Sequence, residues 1–396
     1  MAGYYFRLPQ FGELTIPQQA AVNEPRQIAL SGGPGTGKSV VSIWRHLRNY
    51  LSNPIKRSYL LTYTTTLKAY LSSCCINIKD EEHPNAGIES ANNVGTSIRN
   101  SDMMHTHVFP EVIIDEAQDL PHDYYAGILS PFSYGADDSQ ILYPSHCSTE
   151  AELHSFFPNI VHYTLDTNFR NTQRIMQFAR HAFPNANITN NTIQSLADRI
   201  GEKPVLLVSD SFDKTRDAIE RIINSFRSDD QNIAILVPWK EHAKAYKKNV
   251  LDYLKIDHSI YYEDMADFPH GCGKIKNVHI TTFKSSKGLE FDTVIIPNFD
   301  FIQKLPWLVP EVGNMNSEQL KEMEATIQRL TALHKDHDRI ITKTPLTNGV
   351  IRVNYNKLMC SWEDFYVAVT RTRSNLYLLS PKDLPQLDSV IEKEIL

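Results

Sequence analysis

Cysteine is scarce in this chain, and the few present do not pair by pattern. Cys74, Cys75, Cys147, Cys272 and Cys360 form no C-x-x-C, and their number is odd. That argues against a disulfide framework and fits a reducing, cytoplasmic setting. His270 and Cys272 stand close together but have no second ligand pair of zinc-site spacing, so they do not make a metal motif. Long apolar runs are missing too: none approaches the ~20 residues of a membrane span, which argues against a membrane partner. The opening "MAGYYFRLPQF" lacks the charged-then-apolar layout of a signal peptide. Basic residues are not in excess either. Lys and Arg number 40 against 46 Asp and Glu, a formal charge of −6. Any nucleic-acid site must then be a local groove and not a basic coat. The chain has no internal repeat and no long low-complexity tract.

What the chain does have begins at Ala29, "ALSGGPGTGKSVVSIWRHL". Gln27 to Leu30 read as the end of a buried strand. Gly32, Gly37, Lys38 and Ser39 satisfy G-x-x-x-x-G-K-[ST], and Val40, Trp44, Leu47 and Leu51 follow at helical spacing. In such a loop, which includes Gly35 and Thr36, backbone N–H groups converge on phosphate oxygens with no Cβ in the way. The helix start adds a partial positive charge. Lys38 is expected to reach the β/γ-phosphates of a nucleoside triphosphate, and Ser39 to hold Mg²⁺.

At 396 residues the chain has room for two or three domains. Short apolar runs alternate with helical segments, which predicts an α/β fold with parallel sheets. Strands are expected at "VIID" ending at Asp115, "PVLLVS" from Pro204, "IAILVP" from Ile233, "VHITTF" from Val278, "DTVIIP" from Asp292 and "NLYLLS" from Asn375. The polar stretch from about Asp80 to Asn100 reads as a surface loop. Between Asn298 and Trp362 the pattern is interrupted. There Leu320, Met323, Ile327 and Leu330 mark one face of a helix, packing against the fold and capped by Asn316 or Ser317.

"EVIIDEAQDLP" puts Asp115 and Glu116 at the end of an apolar strand, where ligands bind in parallel sheets. One carboxylate there can hold Mg²⁺ and the next can orient an attacking water. From this point the chain resembles the superfamily 1 helicases of UvrD/Rep type. The resemblance runs from about Leu14 to Pro381, in the family's motif order. It implies two RecA-like domains of P-loop NTPase type, residues 1–165 and 166–396, the second carrying an insertion at about 299–362. It also implies an ATP site in the cleft between them. "LTIPQQAAV" resembles the adenine-reading motif, with Gln18 as reader. "LLTYTTTLKAYL" resembles a motif that touches single-stranded DNA, through Tyr63 and Thr64. "GADDSQILY" resembles the motif whose γ-phosphate sensor is here Gln140. "LDTNFRNT" implies Phe169 stacked on adenine and Arg170 on the γ-phosphate. "TTFKSSKGLEF" implies Glu290 on the ribose and a DNA-gripping loop, and "FYVAVTRTR" implies Arg371 as arginine finger. Lys284 and Lys68 are the candidate cations for the strand.

Departures are visible. Ala136 stands where the family usually has Gly, Lys284 where it usually has His, and Ser145, two residues after Tyr143, where a DNA-stacking Trp is frequent. "NNVGTSIRN" matches a further DNA-contacting motif poorly. Only 77 positions separate Lys38 from Asp115, and 117 separate Arg170 from Lys287. The accessory subdomains inserted there in the large relatives do not fit. The expectation is a compact ATP hydrolase moving 3′ to 5′ on single-stranded DNA, in repair or in defence against foreign DNA. A second reading of the same residues is an ATP-gated regulatory subunit that controls a partner such as a nuclease.

Overall fold

The computed structural model describes every residue except 1–3, 6, 53–56, 97–105, 121–123, 126–127, 143–147, 185, 187, 262–274, 322 and 325–341. Six strands open the chain: β1 (Ile28–Ser31), β2 (Tyr59–Thr62), β3 (Val94–Thr96), β4 (Val112–Ile114), β5 (Phe132–Gly135) and β6 (Val161–Thr164). They form one sheet in the order β3-β2-β4-β5-β1-β6. Every pairing is parallel, with β1 central between β5 and β6. Parallel strands need crossover connections, and the helices Lys38–Ser52 and Thr65–Ile76 supply two of them. The C-terminal ends of β1, β4 and β5 therefore share one edge. Backbone bonds carry the alignment past the strands: Asp115 N donates to Leu61 O at 2.8 Å, and Ala136 N to Leu30 O at 3.0 Å.

The second half holds β7 (Val205–Val208), β8 (Ile233–Val237), β9 (Ser259–Tyr261), β10 (Val278–Thr282), β11 (Phe291–Ile296), β12 (Trp307–Met315), β13 (Thr342–Pro345), β14 (Ile351–Cys360), β15 (Thr372–Ser380) and β16 (Glu392–Ile395). Seven of them make a second parallel sheet, β16-β7-β15-β11-β8-β10-β9. Strands β8, β10 and β11 are buried at every position, as strands covered on both faces should be. Two parallel sheets flanked by helices are the tandem RecA-like α/β fold of P-loop NTPases. All six strands expected from apolar runs are present, each starting within three residues of the expected position.

Two regions depart from expectation. The polar stretch from Asp80 to Asn100 is not simply a surface loop. It contains the helix Ala86–Asn92 and the edge strand β3. Ala86, Gly87, Ser90 and Ala91 are buried there, and Ser90 O accepts from the buried His46 ring at 3.0 Å. Small residues at helical spacing can be buried without an apolar stripe, so hydropathy does not reveal the face. The interrupted region carries a small antiparallel sheet, β12-β14-β13. Its helix begins as expected: Asn316 Oδ1 accepts from Gln319 N at 2.8 Å, and Leu320 is buried. Ile327 and Leu330 lie outside the described residues, as do Tyr143, Ser145, Cys147, His270 and Cys272. Cys74, Cys75 and Cys360 are buried free thiols.

One apolar cluster joins the two halves. It runs from Leu30, Leu60 and Leu67 to Leu289, Phe291 and Phe365. Among the described residues no helix is long and apolar enough to cross a membrane.

Candidate nucleotide-binding site

The glycine loop bends between β1 and the helix Lys38–Ser52, and two of its glycines combine a positive φ with the close approach of another segment. Gly35 has φ +75°, and a Cβ there would stand 2.7 Å from Asn168 Oδ1 and 2.9 Å from Arg170 Cβ. Gly37 has φ +90°, and a Cβ would run into the amide of Gln18. Both conformations suit glycine, and both glycines let another segment close on the loop. Asn168 uses that space: its Nδ2 donates to Pro34 O at 3.0 Å, while Phe169 N donates to Gly35 O at 2.8 Å.

Lys38, the first residue of its helix, folds back over the loop. Its Nζ donates to Gly32 O at 2.5 Å and Gly33 O at 3.1 Å, and lies 3.5 Å from Asp137 Oδ2. Ser39 Oγ donates to Asp115 Oδ2 at 2.8 Å. Burial, then the neighbouring Glu116 carboxylate, pushes the Asp115 carboxyl up. A hydroxyl and a carboxylate side by side are the donors a small hard cation takes, with phosphate and water completing its shell. The residues thus fit Mg²⁺. Glu116 is a non-glycine residue in the left-handed region, at φ 58° and ψ 50°, a conformation costing roughly 1–2 kcal/mol. Its Oε2 accepts from Gln118 Nε2 at 2.7 Å and lies 3.4 Å from Lys287 Nζ. Burial pushes Glu116 up, but Lys287, Lys38 and Arg371 outweigh it and hold the carboxylate low, at about 2.

The second half meets this edge with the N-terminal ends of its strands. Glu290 precedes β11 and Arg371 precedes β15. These strands are neighbours, so Phe291 N donates to Arg371 O at 2.9 Å. Arg371 caps the buried helix Trp362–Thr370, and its Nε donates to Val367 O at 3.1 Å. Its Nη2 crosses to the first half and donates to Gln140 Oε1 at 2.7 Å. Burial and the nearby Arg170 push the guanidinium down to about 9. Arg170 pairs with Glu290 Oε2 at 3.3 Å, and Arg373 pairs with Glu290 Oε1 at 2.9 Å.

These groups enclose a cleft of roughly 430 Å³ between the halves. Gln18, Gly35, Thr36, Gly37, Lys38, Ser39, Glu116, Gln140, Phe169, Arg170, Glu290 and Arg371 all line it. Asp115 lies just behind, against Ser39. Phe169 is 43% exposed, a ring presented to the opening. Gln18 is buried with both amide atoms engaged: Oε1 accepts from Thr15 N at 2.9 Å and Nε2 donates to Thr36 O at 3.0 Å. The sequence-derived nucleotide set is therefore gathered at one place.

The candidate nucleic-acid residues stand elsewhere and do not line the cleft. Tyr63 and Thr64 follow β2, with Thr64 Oγ1 capping the helix that carries Lys68. Lys284 begins a short turn after β10. All four are half-buried. A Cβ on Gly288 would collide with the Leu67 side chain, so the segment Lys284–Gly288 packs against the helix bearing Lys68.

Sequence reasoning missed a buried link between the halves. Lys287 Nζ, fully buried, donates to Asp119 at 2.9 and 2.8 Å and to Gln140 O at 2.7 Å. Burial lowers its basicity, but Asp119 and Glu116 more than offset this and hold it charged. Asp119 and Lys287 sit inside two quoted motifs, and their burial alone would have been hard to infer. Asp137, which accepts from both Lys38 and Gln140, was missed in the same way.

No family model matches the chain. Over 248 residues it is 25% identical to a protein of Acanthamoeba polyphaga mimivirus named as a putative ATP-dependent DNA helicase. The match takes in 57% of this chain and 34% of that protein. The chain thus spans about a third of the length of the curated relative it matches. Among solved structures, the PRRSV helicase is 14% identical, with a TM-score of 0.38, over 92% of this chain and 54% of that one. Arterivirus nonstructural protein 10, a helicase, is 13% identical at a TM-score of 0.38, over 94% and 63%.

Proposed function

We propose that the chain is an ATP-hydrolysing motor of UvrD-like, superfamily 1 type that moves 3′ to 5′ on single-stranded DNA. The observation that carries the reading is the bond from Arg371 to Gln140 across the cleft. It sets a cation of one half beside the phosphate loop and carboxylates of the other.

The roles follow from position. Lys38 exchanges the carbonyls of Gly32 and Gly33 for β/γ-phosphate oxygens. Ser39 and Asp115 hold Mg²⁺, which neutralises phosphate charge when bound. Glu116, kept ionised by its cations, is the base that orients water. Arg371 and Arg170 deliver positive charge to the γ-phosphate, where it develops in the transition state. Gln140 contacts both Arg371 and Asp137 and so reports whether that phosphate is present. Phe169 offers its ring to adenine, Gln18 its edge, and Glu290 its carboxylate to the ribose. Arg371 exchanges its bond across the cleft to Gln140 for one to nucleotide, so occupancy changes how the halves are held. Lys284 and Lys68, on opposite sides of the junction, would then grip the strand alternately, with Tyr63 as a stacking face. Two closing domains suffice for stepping, while opening long duplexes would also need a wedge, supplied by the segment between Asn298 and Trp362 or by a partner.

The test is ATP turnover by the purified chain with and without single-stranded DNA. Strong stimulation supports the motor. Stimulation by a protein partner and not by DNA would replace it with the ATP-gated subunit.

A further inference from the structure

Tyr4, Tyr5 and Arg7 precede every motif, yet they are tied to the far side of the cleft. Tyr4 is buried, and its ring lies edge-on between Tyr70 of the first half, 6.3 Å away, and Phe291 of the second, at 5.9 Å. Its hydroxyl donates to Glu290 O and accepts from Glu290 N at 3.1 Å, so one phenol satisfies both sides of that residue's backbone. Tyr5 exchanges two bonds with the Asn232 side chain, both 2.9 Å. Arg7 pairs with Asp292 Oδ2 at 3.1 Å and donates to Asp230 O at 2.7 Å. Two residues on, Pro9 O accepts from Trp44 Nε1 of the first half at 2.9 Å.

We propose that this segment is a working wall of the nucleotide site, in which Tyr4 and Arg7 are positioning residues for Glu290. The inference rests on the reading of Glu290 as a ribose contact. Tyr4 fixes the Glu290 backbone from below. Arg7 fixes Asp292, whose other oxygen lies 3.7 Å from Arg373, and Arg373 in turn holds the Glu290 carboxylate. Between them they set both ends of one residue: the peptide and the side chain. Tyr5, Arg7 and Leu8 themselves line the cleft. A carboxylate aimed at a sugar hydroxyl must be held against two arginines that compete for it, and an anchored backbone does this without adding charge. The ordering cost of binding falls when such a group is already in place.

The test uses the full chain and calorimetric binding, in Mg²⁺, of ADP, 2′-deoxy-ADP and pyrophosphate. Tyr4→Phe removes only the hydroxyl, and Arg7→Ala only the outer anchor. Each is expected to weaken ADP about five-fold, the size of one lost hydrogen bond. Each should also narrow the preference for ADP over 2′-deoxy-ADP and leave pyrophosphate unchanged. Glu290→Gln is the reference for a lost ribose contact. Parental ADP affinity in Tyr4→Phe and Arg7→Ala, with ADP weakened in Glu290→Gln, overturns the proposal and spares the site. Parental affinity in all three overturns the ribose reading and the proposal with it. Equal losses for ADP and pyrophosphate also overturn it, because they signify general loosening. Should Tyr4→Phe fail to fold, the variant Arg7→Ala carries the same comparison alone.

Discussion

The nucleotide cleft and the junction bearing Tyr63, Thr64, Lys68 and Lys284 are made from the same two halves by opposite means. In the cleft, charged side chains are buried and paired across the chain: Lys287 with Asp119, Arg371 with Gln140, Lys38 with Asp137. At the junction the candidate groups are half-buried and carried by a helix start and a short turn. Buried charges are costly to leave alone, so each partner holds the other in one geometry. Half-exposed cations are screened by salt and can adapt to a mobile backbone ligand. On the proposed function, the fixed distances of one face suit a single small ligand, and the half-exposed groups of the other suit holding and release.

The largest predicted effect would break this comparison at once. Lys38→Ala is expected to abolish ATP turnover with the fold intact by circular dichroism. Glu116→Gln should keep ATP affinity and lose hydrolysis, since it removes only the base. Near-normal turnover in Glu116→Gln would remove that residue from its assigned role.

Next in size is the lock between the halves. Lys287→Ala leaves Asp119 buried without its cation and is expected to destabilise the chain by about 3–5 kcal/mol in chemical denaturation. Lys287→Met combined with Asp119→Leu should recover part of that loss, because only Glu116, which keeps Lys38 and Arg371 nearby, then loses a cation. A single variant as stable as the parent would mean that the pair is solvated in solution.

The smallest effects sharpen the other face. Lys68→Ala and Lys284→Ala should each flatten the log–log salt dependence of single-stranded DNA binding by about 0.7, one phosphate contact apiece. They should do so without changing ADP affinity. A salt slope near zero in the parent chain would show an apolar groove instead.

How much of this was legible depended on whether the partners were close in sequence. Lys38 and Ser39 follow their glycines directly, and Asp115 ends an apolar strand, so local pattern exposed them. The six apolar strands were legible for the same reason. The small residues of Ala86–Asn92 bury a face that hydropathy does not mark, and β3 beside them was hidden. Lys287 meets Asp119 across 168 positions, and Tyr4 meets Glu290 across 286. Such pairs are fixed by how two sheets face each other, the C-terminal edge of one against the N-terminal edge of the other. No spacing rule encodes that.

The central claim is that both halves build one catalytic site, and Arg371 tests it most directly. The measurement is single-turnover ATP hydrolysis by Arg371→Ala in saturating single-stranded DNA, with ADP affinity measured on the same preparation. The account predicts a fall on the order of 10³-fold in rate, as for loss of an arginine finger, with ADP binding retained. Hydrolysis at the parental rate would contradict it and leave the first half hydrolysing alone.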